Sequence, residues 1–297
     1  NWTGEKFSDL YQIRKNGSEI RKFDSAINTN ANEGTAWFTN DGATLYFTRV
    51  FSLTSGDEYP KLMRSDLVDG FWSEPEVLPF IQDKIKYGQP TLIENDSILV
   101  FSSDQNEVGG TLDLYYSQLF SDGNWSTPEK LPTSINTQGN EKFPTGDKDT
   151  LYFSSDFLPG LGGFDIFKTF LKTDGSWSIP INMGYPINSG GDDFSFIVDY
   201  SAKTIKNVTQ QGFFSSSRVG NGKDDIYRFK KMAPQIDTTT IKETKPVNQI
   251  VYVTVKTFNN IFEENDNPNS KVIGKKSLND VFIEIVDEND KKVVEGY

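Results

Sequence analysis

The chain has neither cysteine nor histidine in its 297 residues. Without thiols there are no disulfides and no thiol catalysis. Without imidazoles there are no Ser-His-Asp triads and no His general bases, and the two absences together remove the usual zinc sites. No run approaches the roughly 18 apolar residues that cross a bilayer as a helix. No signal peptide is visible at the polar opening "NWTGEKFSDL", which reads as a mature chain or a fragment. Positive charge is in deficit: 30 Lys and Arg stand against 42 Asp and Glu, a net charge of -12. Such a surface repels nucleic-acid backbones and anionic lipid. Helical periodicity is also missing over any useful length. Aromatics are plentiful, with 23 Phe and 12 Tyr, enough to fill a core made of flat strands.

The aromatics recur. "LYF" at Leu45–Phe47 returns as "LVF" at Leu99–Phe101 and "LYF" at Leu151–Phe153, offsets of 54 and 52 residues, and as a weaker "GFF" at Gly212–Phe214. "DLY" at Asp9–Tyr11 and Asp113–Tyr115, "DIF" at Asp165–Phe167 and "DIY" at Asp225–Tyr227 keep the same register, with "KLM" at Lys61–Met63 as a degenerate copy. "DGFWSEP" from Asp69, "DGNWSTP" from Asp122 and "DGSWSIP" from Asp174 follow. Asp-Gly between strand-like runs is a hairpin signal, and the Trp is expected to begin an outer strand. "IN" recurs at Ile27–Asn28, Ile135–Asn136 and Ile187–Asn188. Repeats of this length with four short strands each predict propeller blades. Counting partial copies gives five blades, the first lacking its two inner strands, which are expected upstream of Asn1. The alternative count is a four-bladed ring with an overhanging N-terminal hairpin.

The glycine-rich stretch "PGLGGFD" before Phe167 could cradle phosphate or calcium. A strand follows it where a phosphate loop needs a helix. It reads instead as a hairpin connection, in which glycines supply positive φ and the Asp accepts hydrogen bonds from the loop's own backbone.

The propeller is expected over residues 1–231, a Thr-, Lys- and Pro-rich linker over 232–249, and a partial β-sandwich over 250–297. The fold class is all-β.

The repeats resemble TolB-like (WD40-like) β-propellers. More narrowly, "WTGEKFSDLY" (Trp2–Tyr11), "INTNANEGTAWFTNDGATLYFTR" (Ile27–Arg49), "NEKFPTGDKDTLYFSSD" (Asn140–Asp156) and "GGFDIF" (Gly162–Phe167) are similar to the propeller of periplasmic OmpA-family lipoproteins of the type IX secretion and gliding machinery. That resemblance implies a periplasmic, outer-membrane-associated protein with envelope protein partners, an outer-membrane β-barrel of the machinery among them. It implies a carboxypeptidase-regulatory-like sandwich after the propeller. Peptidoglycan would be gripped only by a domain outside this chain.

The functional expectation is a non-catalytic, protein-binding scaffold without cofactor or metal. The alternatives are a sugar- or peptide-binding propeller and a propeller glycosidase, which would need a carboxylate pair about 5–9 Å apart. Residues entering each inner strand should meet at one mouth of the channel: Glu33, Gln89, Glu141, Asp192 and Asp193 as an acidic ring, with Trp37, Tyr87 and Phe143 supplying apolar contact beside Phe194. Thr238 and Ser25 fit an Asp-Ser/Thr-small-apolar pattern for O-glycans that the resemblance brings with it.

Overall fold

The computed structural model describes residues 8–14, 19–52, 58–105, 110–200, 205–220, 224–233, 258–262, 272–277, 283–286 and 292–296. Two units are distinguished, residues 1–234 and 235–297. The first is a β-propeller. A two-stranded ribbon, β1 (Tyr11–Gln12) with β2 (Arg21–Lys22), precedes four antiparallel sheets. Blade I holds β3 (Asn32–Phe38), β4 (Thr44–Ser52), β5 (Glu58–Val68), β6 (Phe71–Trp72) and β7 (Glu76–Val77). Blade II holds β8 (Tyr87–Ile93), β9 (Ile98–Ser103), β10 (Asp113–Gln118) and β11 (Glu129–Lys130). Blade III holds β12 (Glu141–Asp147), β13 (Thr150–Ser155), β14 (Asp165–Phe170) and β15 (Ile181–Asn182). Among the described residues, blade IV has three strands: β16 (Asp193–Val198), β17 (Val208–Ser216) and β18 (Asp225–Met232). Successive inner strands β3, β8, β12 and β16 lie side by side, as strands around one axis must. The second unit shows two antiparallel pairs, β19 (Phe258–Phe262) with β20 (Val272–Ser277) and β21 (Ile283–Val286) with β22 (Lys292–Gly296). The strand expected from Ile250 and most of the linker lie outside the described residues.

The "LYF" and "DLY" copies form the second and third strands. Phe47 pairs Met63, Phe101 pairs Tyr115, Phe153 pairs Phe167 and Phe214 pairs Tyr227. Their side chains build the core between blades: Leu45, Phe47, Leu99, Phe101, Leu151 and Phe153 are buried. Burying one such side chain stabilises by about 1.5–3 kcal/mol, so a repeat every 50-odd residues assembles a continuous core.

The three tryptophans occupy equivalent places but do not begin the outer strand. Trp72, Trp125 and Trp177 bridge Leu67, Leu119 and Leu171, and the pairing strands β7, β11 and β15 start after Pro75, Pro128 and Pro180. A proline has no N–H to give a ladder, so the strand is interrupted there. A serine buckle replaces the missing ladder. Ser65 Oγ, Ser117 Oγ and Thr169 Oγ1 donate to the carbonyls of Ser73, Ser126 and Ser178 at 2.6–2.7 Å.

The Asp-Gly turns are of two kinds. Asp69 and Gly70 both have positive φ (53° and 84°), as a two-residue hairpin turn requires. The other two copies are one residue longer. There Gly123 and Gly175 alone take positive φ (85° and 79°), each closing a turn onto Phe120 or Lys172. The "PGLGGFD" glycines differ from expectation as well. Gly160, Gly162 and Gly163 do not have positive φ. They are small because a Cβ would strike Asp165 at 2.0 Å, the Gly191 carbonyl at 2.0 Å and Asp192 at 2.2 Å respectively. Asp165 does accept bonds from its own loop, from Leu161 N and Gly162 N at 2.8 and 2.9 Å.

Candidate functional site

The entry to an inner strand is a repeated structural device. Asn28, Asn136 and Asn188 each accept from and donate to the backbone of one residue in the preceding sheet or ribbon: Leu10, Leu114 and Ile166, at 2.8–2.9 Å. The ribbon therefore stands where the outer half of a blade stands elsewhere. One residue later, Thr29, Thr137 and Ser189 bond the carboxylates of Glu33, Glu141 and Asp193 through both hydroxyl and backbone N–H. Further donors complete each carboxylate: Arg49 Nε to Glu33 at 2.9 Å, Ser155 Oγ to Glu141 at 2.7 Å, and Arg218 Nη2 to Asp193 at 2.7 Å.

These bonds correct the expected acidic ring. Glu33, Glu141 and Asp193 are 1%, 0% and 0% exposed. They brace loops against strands from inside the fold and present no charged rim to a partner. Asp192 is exposed and accepts from Phe164 N at 2.9 Å. Tyr87 is a core residue, donating its hydroxyl to Gln105 at 3.2 Å, and Trp37 packs against the same cluster.

Gln89 and Phe143 are different. With Thr35 and Ser195 they mark a bulge in every inner strand, at φ of 59°, 52°, 34° and 55°. Gln89 ties three blades together. Its N–H donates to Thr48 Oγ1 at 2.8 Å, and its Oε1 accepts from Ser102 Oγ at 2.8 Å and Phe143 N at 2.9 Å. Phe143 stacks on Phe194 with centroids 4.8 Å apart. Of the predicted mouth residues, Glu33 and Gln89 share a cavity of about 290 Å³, beside Thr35 and Thr48. Ser25 lies exposed in a turn, and Thr238 lies outside the described residues.

The larger openings lie between blades III and IV. A groove of about 560 Å³ has Phe196, Phe214, Tyr227 and Phe229 among its walls, with Lys168, Arg228, Lys230 and Lys231 around it. Among the described residues, no carboxylate lines it. Arg218 also reaches it, but is held by Asp193 and the carbonyls of Pro186 and Ile187. A neighbouring cavity of about 510 Å³ is lined by Asp147, Tyr152, Tyr200 and Gln210 among others. One oxygen of Asp147 is buried without a hydrogen-bond partner. Tyr200 is 66% exposed; partial desolvation of its hydroxyl, then the bond to and charge of Asp147, raise the phenol above its ordinary pKa. Burial likewise raises Tyr152, whose hydroxyl accepts from Gln210 at 3.2 Å. Sequence reasoning missed this groove. Its signal was the lack of a "DGxW" copy after Tyr227.

No protein-family model and no curated protein sequence matches the chain. Solved structures that match include a thermostable family-43 glycoside hydrolase, at 11% identity over 71% of this chain and 78% of that one, with a TM-score of 0.42. An alpha-L-arabinofuranosidase from Lactobacillus brevis matches at 10% identity over 71% and 78%, with a TM-score of 0.43. A periplasmic gluconolactonase from Pseudomonas aeruginosa matches at 12% identity over 76% of this chain and 64% of that one, with a TM-score of 0.40. These neighbours are enzymes, and on that finding the expectation that the chain is not an enzyme is withdrawn. At such identities the likeness extends to the β-propeller fold alone.

Proposed function

We propose that this chain is a ligand-binding propeller of a periplasmic, outer-membrane-associated protein, and that its ligand is an extended, acidic polypeptide held between blades III and IV. The observation that carries this reading is the groove of about 560 Å³, walled by aromatics and ringed by cations in a chain of net charge -12. Apolar walls supply affinity, and a local positive rim selects acidic partners by steering their approach. The resemblance to OmpA-family lipoproteins of type IX secretion and gliding supports the envelope setting. The test is capture of envelope partners by the intact chain and by a Lys168→Glu, Lys230→Glu, Lys231→Glu variant. Loss of capture by the folded variant, steeper at low salt, supports the reading; equal capture overturns it.

A second reading, hydrolysis of a glycoside, is favoured by Asp147. Its unpartnered oxygen lines a polar cavity that Asp199 and the protonated Tyr200 also line. Turnover of aryl glycosides that Asp147→Asn abolishes would establish it. A folded chain with no turnover, or turnover indifferent to Asp147→Asn, would remove it.

A further inference from the structure

Blade IV follows the plan of the other blades as far as its third strand. Tyr227 and Arg228 hold the register positions of Met63–Arg64, Tyr115–Tyr116 and Phe167–Lys168, which pair with the fourth strands β7, β11 and β15. Among the described residues, no strand pairs with the outer edge of β18.

The three existing fourth strands show what such a strand must carry. Its leading tryptophan packs on the preceding blade. The Trp125 ring meets Tyr46 of blade I edge-on with centroids 5.9 Å apart, and Trp177 packs in the cluster that holds Val100 of blade II. The corresponding place in blade III is Tyr152, where blade IV supplies its own ring: Phe196 lies against it with centroids 4.6 Å apart, and Tyr152 is buried. The pairing residue is acidic in two of the three. Glu76 lies opposite Arg64, and Glu129 lies opposite Tyr116 and accepts its hydroxyl at 2.8 Å. The residue after the strand donates its N–H to the third strand at 3.0–3.1 Å: Leu78 to Leu62, Leu131 to Leu114 and Met183 to Ile166. These three acceptors are each 0% exposed, whereas Ile226, their equivalent in blade IV, is 78% exposed.

We propose that the open edge of β18 accepts an extended segment of a second polypeptide as a fourth strand. A carboxylate lies across from Arg228, and an aliphatic side chain covers Ile226. Main-chain bonds to a free strand edge supply affinity, and the alternate side chains supply specificity. This rests on the reading of the groove as a polypeptide site.

The choice of occupant follows from charge and sequence. Among the described residues, the groove offers Lys168, Arg228, Lys230 and Lys231 and no carboxylate, which suits an acidic segment. A second copy of the chain brings a net charge of -12 against a surface of the same sign. Residues 233–249, which follow β18, contain no Trp, no Asp-Gly and no Pro-Glu.

The probe is a blocked synthetic peptide copying residues 124–132, "NWSTPEKLP", titrated into the whole chain by fluorescence anisotropy. Saturable binding is expected, weakened about tenfold or more by Arg228→Glu, by Ile226→Lys and by a Glu-to-Lys peptide. Both variants change exposed side chains, so the fold should survive, and circular dichroism checks this. Slower amide exchange along β18 on peptide addition is expected in parallel. The proposal is overturned by no saturable binding up to about 1 mM, or by equal binding to both variants. It is also overturned if the β18 edge is already protected in the free monomer, or if a dimer covers it. Partner capture that depends on the groove lysines while the peptide fails would retain the polypeptide site and discard strand addition.

Discussion

Blades III and IV share one strand plan and differ at one edge. In blade III, Ile166 is clasped by Asn188 and covered by Met183, and no part of it reaches solvent. In blade IV, Ile226 sits at the same register and is 78% exposed. The strand cores are otherwise alike: Phe153 pairs Phe167 as Phe214 pairs Tyr227. A blade therefore does not bury its own third strand. The fourth strand, the loop after it and the next blade do so, and a blade without them keeps an apolar stripe beside a free backbone edge. Such an edge is a hazard in a protein that does not use it and a binding surface in one that does.

The largest effect is expected where both blades brace a buried carboxylate. Glu141 in blade III depends on Thr137 and Ser155, and Asp193 in blade IV on Ser189 and Arg218. Glu141→Lys replaces an accepting group with a buried cation among donors. A loss of about 3–5 kcal/mol is expected in urea denaturation, enough to unfold many domains. A loss under about 1 kcal/mol would place Glu141 at a solvated rim after all.

The next prediction tests the edge itself. Ile166→Ala removes a buried side chain and should cost about 2–5 kcal/mol, whereas Ile226→Ala at the same register should stay within about 0.5 kcal/mol. Equal costs would mean that Ile226 is covered in solution. Asn188→Ala should fall between them, at about 1–3 kcal/mol, because it strands the buried Ile166 N–H and leaves the Ile166 carbonyl with Met183 N alone. Blade IV contains no matching clasp among the described residues. Exchange at Ile166 should accordingly approach that of Ile226 in this variant.

The repeat, its strands and its hairpins were legible because each is set by near neighbours: alternation, Asp-Gly and an aromatic triplet. The equivalence of Trp72, Trp125 and Trp177 followed from spacing alone. Burial of Glu33, Glu141 and Asp193 was also written locally, in a Thr or Ser four residues before each acid. A carboxylate at a strand entry reads as exposed until that hydroxyl is counted. The bulges at Thr35, Gln89, Phe143 and Ser195 had no signal, because none of these residues favours positive φ; at Gln89 and Phe143 inter-blade bonds hold it. The tight glycines at 160, 162 and 163 looked like turn residues. Only the approach of Asp165, Gly191 and Asp192 explains their size.

The smallest expected effect separates the blades by pH. Blade III closes its third strand with the turn at Asp174-Gly175, and the described part of blade IV ends without one. Asp174 Oδ1 accepts from Ser176 Oγ at 2.7 Å and Ser176 N at 2.9 Å. These bonds hold its carboxyl below the ordinary Asp value, with a smaller contribution from Lys172. A depressed folded pKa means that the charged form stabilises the turn. That contribution is complete above the unfolded carboxyl pKa of about 4 and is lost as pH falls through the lower folded value. The group is fully solvated, so the change should be local. Amide exchange at the end of β14 should quicken below about pH 4, while exchange in β17 and β18 follows only the intrinsic rate. Asp174→Asn keeps an acceptor oxygen but no charge, so it should flatten the pH response of β14 without altering β17. A response that persists in Asp174→Asn would show that the Asp174 turn is not the source of the acid sensitivity of blade III.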